Sequence, residues 1–303
     1  MAGPITTGSV PKSMWPGVKF WFGRQYKEHA PQYPDLFELD TSDKNWEELV
    51  ELTGFGMAVV KDQNTGTTFD SETQGYTHTL TNVAYGLGFQ ITREERDDNQ
   101  YSIVGKRRSR ALAFSFRQTK ETVAANVYNR AFTAAYTGGD GSVLCCTTHA
   151  TSTGSQSNHL TTAADMSEVA VEDLLIQIML ATNSKGLKIN LQPQSLIVPP
   201  NLAFEACRMY ESDKQYDTAN NATNAMRKKG VFPKGVKVNN YLTDTDAWFI
   251  RTNCPAGLVF LQRVPIEFKQ DNDFDTDNNK FKGYERYIPG WGDWRSLYAS
   301  PGA

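Results

Sequence analysis

GKRRSRALAFSFRQTKETVAANVYNRAFTAAYT, residues Gly105 to Thr137, is the longest stretch of the chain that can run as one unbroken helix. It holds no proline and no internal glycine, and it stops at Gly138-Gly139, which supplies the left-handed backbone a helix end needs. At about 100° per residue, Leu112, Phe116, Val123, Val127 and Ala134 form a core-facing stripe. Phe114, Tyr128, Phe132 and Tyr136 sit roughly opposite, so this helix has apolar surface to bury on two sides. At roughly 1.5 Å per residue it is a rod of about 45–50 Å, longer than most helices in a globular domain. It reads as a spine.

The 303 residues suffice for one large or two ordinary domains with a sizeable core. Lys+Arg 31 against Asp+Glu 34 gives a formal charge of -3, which excludes a basic nucleic-acid coat and an acidic tail. An aromatic share of 12% with so small a net charge excludes a disordered chain. No apolar run reaches the ~20 residues that cross a bilayer, and no signal peptide opens the sequence, so membrane partners are not expected. The four cysteines are too few for a disulfide scaffold and read as reduced.

Working outward, Met1 to Val10 is small and polar and reads as an arm. Pro11 to Pro34 mixes prolines with Trp15, Phe20, Trp21, Phe22, Tyr26 and Tyr33, an extended segment too aromatic to leave in water. Either it folds back on its own domain or it lies on a neighbouring subunit; aromatic surface on this scale marks a partner. Asp43 to Leu52, with Ser42 or Asp43 as cap, reads as a short helix. Met57 and Val59, then Val83, Tyr85, Leu87, Phe89 and Ile91, alternate as two strands around the polar span Lys61 to Thr79. They predict a long hairpin that needs a neighbour, with Lys61, Phe69 and Tyr76 as contact candidates beside Trp15, Phe20, Trp21, Phe22 and Tyr26.

The start of the spine carries Lys106, Arg107, Arg108, Arg110, Arg117 and Lys120 and no acidic residue between Gly105 and Lys120. A solvated helix face explains such a run; a surface facing phosphate explains it too, with Lys106, Arg107, Arg108 and Arg110 as the DNA-facing candidates. Beyond Gly141 the pattern predicts helices over Ser167 to Asn183 and Asn201 to Tyr210, a loop over Ser212 to Lys229, and strands at Leu196 to Val198, Val236 to Val238, Ala247 to Arg251, Leu258 to Arg263, Phe281 to Ile288 and Trp294 to Tyr298. This order is α+β.

Catalytic signals are weak. Asp271, Asp273, Asp275 and Asp277 imitate a calcium loop, but Thr276 replaces the required glycine and Lys282 the bidentate Glu, so a solvated turn is expected. Cys145, Cys146, His149 and His159 are the clustered soft ligands, but adjacent cysteines rarely share a metal, and buried thiols with loop histidines are expected. No nucleophile elbow, phosphate loop or dinucleotide fingerprint occurs. The expectation is a protein that is not an enzyme and needs no cofactor, with a metal-dependent enzyme on the Cys145/Cys146/His149/His159 cluster as the rival class.

Five phrases stand out together: Tyr128-Asn129-Arg130-Ala131-Phe132 with Thr137-Gly138-Gly139-Asp140-Gly141 and Thr148-His149, Leu196-Ile197-Val198-Pro199-Pro200-Asn201-Leu202, Tyr241 to Phe249, Lys282 to Tyr287, and Gly290 to Arg295. In this order they resemble the major capsid (major head) proteins of tailed double-stranded DNA bacteriophages, the Mu-like major head subunits among them.

The resemblance implies the Hong Kong 97-type capsid fold, with an N-terminal arm, an extended hairpin loop, a long spine helix in a peripheral domain and an inserted axial domain. By position these are residues 1–53, 54–91, 92–137 with 264–303, and 138–263. It implies a subunit that self-assembles through hexamers and pentamers into an icosahedral head enclosing non-specifically bound double-stranded DNA. It also implies assembly in the bacterial host cytoplasm, a portal, and room for a decoration protein. No scaffold-like segment precedes Pro11, so a separate scaffolding protein or prior cleavage is expected, and no residue matches a covalent cross-link. An encapsulin-like shell with protein cargo is the alternative of the same fold.

Overall fold

Residues 15–98, 101–215, 222–273 and 275–303 are described by the structure, a computed structural model. The arm expected over Met1 to Val10 lies outside them.

The aromatic segment expected to be extended is instead a helix, α1 (Trp15–Tyr26). Pro16 is accepted in a first turn, and Val18, Phe22 and Tyr26 recur every four residues on one face, which is the helical signal the prolines hid. After α2 (Tyr33–Leu36) and β1 (Glu38–Thr41), the expected helix at Asp43 to Leu52 is a strand, β2 (Trp46–Leu52). Acidic residues suggested a helical first turn, but pairing with β3 (Gln74–Thr81) decides the conformation, as tertiary context commonly does.

Met57 and Val59 are not in a strand: residues 53–73 join β2 to β3 without regular structure. The hairpin therefore spans residues 46–81. β4 (Val83–Ile91) forms as expected but leaves the hairpin and pairs with β11 (Asn279–Trp291). With β10 (Leu258–Asn272) and β1 it makes a four-stranded sheet ordered β1-β10-β11-β4.

After α3 (Arg93–Asp97), the spine α4 runs Tyr101–Asn129, about 43 Å at 1.5 Å per residue, starting before and ending before the expected limits. It ends early because the next residues take tertiary partners. The Ala131 carbonyl accepts the Cys145 N–H at 2.9 Å, and Thr137 bridges to Val143. Leu112, Ala113 and Phe116 are buried with Phe22 over Tyr85, Phe89 and Phe268; each such side chain removed from water stabilises by ~1.5–3 kcal/mol.

The remaining elements are β5 (His149–Thr151), β6 (Gly154–Gln156), α5 (Glu168–Leu180), β7 (Pro193–Val198), α6 (Ala203–Glu211), α7 (Ala225–Lys229), β8 (Val236–Val238), β9 (Trp248–Thr252) and β12 (Leu297–Ser300). The Ser167 side chain caps α5 by accepting the Ala170 N–H at 3.2 Å. α7 lies inside the expected Ser212 to Lys229 loop, capped by Asn224 and stopped by Gly230 in the left-handed region. Trp294 to Ser296 is a 3-10 turn before β12.

The second sheet, ordered β12-β9-β7-β8, is covered on both faces, which is why its strands read as unbroken apolar runs. Leu196, Val198, Trp248 and Ile250 face the core under α5 and α6. Ile197, Phe249 and Ala299 face the end of α4, where the Tyr128 ring meets Phe249 edge-on at 5.2 Å. The spine thus joins the two sheets.

Candidate assembly surfaces

The hairpin is fixed at its base and open at its tip. Leu49 and Leu80 pack on Val259, Leu261 and Ile288. A side chain at Gly139 would stand 2.8 Å from the Thr77 carbonyl, and one at Gly290 would strike Leu80, so both positions let β3 lie against the body. His78 Nδ1 contacts the Trp291 carbonyl at 2.8 Å. Tyr76 donates to the Ala150 carbonyl and Ser184 to Glu51.

Arg295 is the centre of this base. Its side chain is 3% exposed, lies 3.5 Å from Glu51 of β2 and 3.2 Å from Asp293, and donates to the Thr182 carbonyl at 3.0 Å. Its guanidinium sits 4.3 Å from the Trp294 ring centre.

The tip has none of this cover. Met57 is 82% exposed, Val60 92% and Phe69 93%. On β2 the alternation is inverted, with Glu47, Leu49 and Glu51 turned inward and Trp46, Val50 and Leu52 outward. Contiguous apolar surface of this kind marks an interaction site. Two hydrogen-bonded links hold the loop arms together: Thr53 N–H to Thr73 C=O at 3.1 Å, and Gly56 N–H to the Asp70 carboxylate at 2.7 Å. Lys185 reaches Asp70 and donates to the Ser71 carbonyl, tying the return arm to the loop after α5.

The other sequence candidates divide. Lys61 is exposed on the loop and Tyr76 is half-buried. Phe22 is buried, stacked on Phe268 at 4.5 Å; Trp21 and Tyr26 are partly buried against the same core, and Phe20 alone of the four points to solvent. Nothing is described of the Trp15 side chain. Of the basic run, Lys106 and Arg107 are exposed, whereas Arg108 is held by Glu95 at 2.8 Å and by the Gln90 carbonyl at 2.7 Å, and Arg110 is half-buried. Arg117 and Lys120 face inward, toward the Tyr26 carbonyl and Glu285. That corrects the reading of the run as one surface.

The cysteine and histidine cluster is internally satisfied. Cys145 is buried, which pushes its thiol pKa up, and His159 sits edge-on to Phe132. Asn158 donates to the carbonyls of Leu144, Trp294 and Leu297 while its Oδ1 accepts the Cys146 N–H, which fixes the amide orientation. His149 Nε2, 3.1 Å from that Oδ1, must therefore donate, and its Nδ1 lies 2.6 Å from Asp140 Oδ2. The buried ring stacks on Trp294 at 4.1 Å. Burial pushes the Asp140 carboxyl up, but the His149 hydrogen bond and charge outweigh it and hold the group below its usual value. In the acidic turn, Asp273 pairs with Lys280 and Asp277 with Arg93. Among the described residues no three His, Cys, Asp or Glu side chains converge as a metal site.

Composition gave no hint of the Arg295–Trp294–His149 stack. The buried Glu285 was readable, because Phe281, Gly283, Glu285 and Tyr287 alternate onto the core face of β11.

A family model described as phage capsid protein matches residues 76–300. The chain belongs to the phage capsid protein family. Solved structures share its architecture. A virus-like particle from Pyrococcus furiosus aligns with TM-score 0.56 and 9% identity over 94% of this chain and 98% of that one. The capsid of a native GTA particle gives 0.56 and 11% over 90% of each. The capsid of Myoviridae phage XM1 gives 0.52 and 10% over 91% and 94%. Comparison with curated proteins finds no match by sequence. This capsid protein has the Hong Kong 97-type α+β fold and is a structural, self-associating shell subunit of the virion.

Proposed function

We propose that this subunit builds an icosahedral head from pentamers and hexamers around double-stranded DNA, in the host cytoplasm, with a separate scaffolding protein and a portal. The observation that carries the reading is the hairpin. Its base is clamped by Arg295, and its tip presents Met57, Val59, Val60 and Phe69 to solvent. Such a surface is covered when a neighbouring subunit lies under it, and the same weak contact repeated over a lattice stabilises the whole shell.

In this reading residues 138–263 form the axial domain, joined by β12, which pairs with β9. Residues 92–137 and 264–291 form the peripheral one. Phe20 belongs to the contact surface. Lys106 and Arg107 are the exposed part of the basic run and face the genome without reading sequence.

Electron microscopy of the expressed full chain, with and without co-expressed scaffold, tests the reading: shells, tubes or capsomers are expected, and a strict monomer under every condition rejects it. Nuclease-treated particles distinguish packaged DNA from protein cargo. Replacing Lys106 and Arg107 by Gln should lower DNA retention in intact shells; unchanged retention leaves these residues as solvated surface.

A further inference from the structure

We propose that the extended segment Gly56 to Val60 of one subunit adds as a fifth strand to the free edge of β4 in a second copy. The inference rests on the hairpin being a contact between subunits and names the surface it meets.

The donor segment has unused backbone. Among the described residues, none hydrogen-bonds to the backbone of residues 57–60, although Val59 and Val60 are strand formers. In an extended chain Met57 and Val59 project to one side and Ala58 and Val60 to the other, so one face of the segment is bulky and fully apolar. An unpaired strand of this composition satisfies its N–H and C=O groups by pairing with a sheet edge.

The acceptor is the longest edge strand among the described residues. β4 is nine residues long and ends its sheet; the other strands that end a sheet are β3 with eight residues and β2 with seven, which belong to the hairpin itself, β1 and β12 with four, and β5, β6 and β8 with three. Val83, Ala84, Gly86, Leu87 and Gly88 are exposed along it. Its two ends are closed: Arg286 takes the Asn82 carbonyl and Arg108 the Gln90 carbonyl, leaving the middle open. Beside that middle, across the outer face of β4, β11 and β10, lies a cleft of about 440 Å³ lined by Gly86, Gly88, Lys282, Tyr284, Glu267 and Lys269. Gly86 and Gly88 put no side chains there, which leaves room for side chains of an added strand to lean over β4.

The subunit cannot make this pairing with itself. His78 touches Trp291 while Val83 pairs with Tyr287 and Ile91 with Asn279, so residues 78–91 run straight along β11, away from the tip. At roughly 3.3 Å per residue, Gln74 lies roughly 45 Å from Gly88. Val60 reaches at most about 25 Å from Thr53, which is tied to Thr73 at the root of the loop. The partner is another copy.

Three full-chain tests decide it. Val59→Pro, at a residue with no backbone partner among the described residues, should lower particle yield at least tenfold while the unassembled subunit keeps its circular dichroism and melting temperature. Gly86→Cys combined in turn with Met57→Cys, Val59→Cys or Val60→Cys should give disulfide-linked ladders from oxidised particles, beyond the background of each single-cysteine variant. Replacing residues 57–69 by a Gly-Ser linker of equal length should abolish assembly.

If that replacement abolishes assembly but no cysteine pair gives a ladder, the loop meets a different surface: the proposal fails and the contact role of the hairpin stands. If the replacement assembles normally, both fail. A ladder from Gly86→Cys to Ser9→Cys in place of the loop cysteines assigns the edge to the N-terminal arm and overturns the proposal.

Discussion

Lys120 Nζ on the spine lies 2.9 Å from Glu285 Oε2 on β11, with side chains 5% and 0% exposed. The ammonium also faces the rings of Tyr33, Phe260 and Tyr287 at 5.0–5.8 Å. Burial pushes the Glu285 carboxyl up while Lys120 pulls it back, and its Oε1 has no hydrogen-bond partner among the described residues. This pair pins helix to sheet in one register, at a desolvation cost that offsets much of its attraction.

Lys120→Met alone should therefore destabilise the subunit by ~3–5 kcal/mol, and Lys120→Met with Glu285→Leu should recover most of the loss. The single variant also has a pH signature. Without Lys120, the Glu285 pKa rises further above its unfolded value of about 4.3, so stability is greatest below that value and falls with rising pH by up to ~1.4 kcal/mol per unit. Urea melts of the unassembled subunit between pH 4 and 8 measure this. Equal loss at every pH refutes it.

Arg295 makes a different kind of link, since its partner Glu51 belongs to the hairpin. Arg295→Ala leaves Asp293 and Glu51 uncompensated and should cost ~3–5 kcal/mol, and Arg295→Lys should rescue little, because an ammonium cannot also stack on Trp294 and reach the Thr182 carbonyl. Glu51→Gln should leave the core intact and speed amide exchange in β2 and β3 only. Exchange that rises throughout the protein would mean that Glu51 holds more than the hairpin.

Asp70 gives the loop an acid limit. The N–H groups of Gly56 and Ser71, with Lys185, hold its carboxyl below the usual value. A lowered pKa contributes order above the unfolded value of about 3.9, lost as pH falls through the lower folded value. Protease cleavage between residues 56 and 70 should be unchanged from pH 7 to about 5 and rise below pH 4, whereas Asp70→Asn, with no carboxyl to titrate, should be cleaved faster already at pH 7 and show no such rise. Cleavage independent of Asp70 would contradict this.

Two tyrosines predict opposite signs for one substitution. The Tyr128 hydroxyl donates to the Leu36 carbonyl at 2.8 Å in the core, so Tyr128→Phe strands a buried acceptor and should cost ~1–3 kcal/mol. The Tyr287 hydroxyl is buried with no hydrogen-bond partner among the described residues, while its ring stacks on Tyr85 at 4.6 Å. Tyr287→Phe keeps the ring and should stabilise by about 1 kcal/mol. Thermal melts of the two variants should move apart; shifts of the same sign would count against the comparison.

The sequence carried the architecture where burial is one-dimensional. The spine, α5 and the strands β7 to β9 follow from periodicity and end signals, because each element buries the face its pattern marks. It misled where an element's apolar face is turned away from its own core. Trp46, Val50 and Leu52 point outward on β2, so the segment did not look like a half-buried strand. Charges were legible in number and not in place: Arg107 and Lys120 belong to one basic run, yet one is solvated and the other sealed against Glu285, a distinction only long-range packing makes.

β12 pairs with β9, and Asn158 takes the Leu297 carbonyl and gives its own to the Ala299 N–H. One edge of the second sheet is therefore closed by a strand made after nearly everything it touches. During synthesis the hairpin emerges more than two hundred residues before that closure, by its position at 46–81 against 297–300. A nascent subunit holds its sticky loop with its core still open, and becomes a rigid building block only once residue 300 has left the ribosome. Competence to assemble is in this way timed by chain order, and the slow, non-local pairing sets the moment.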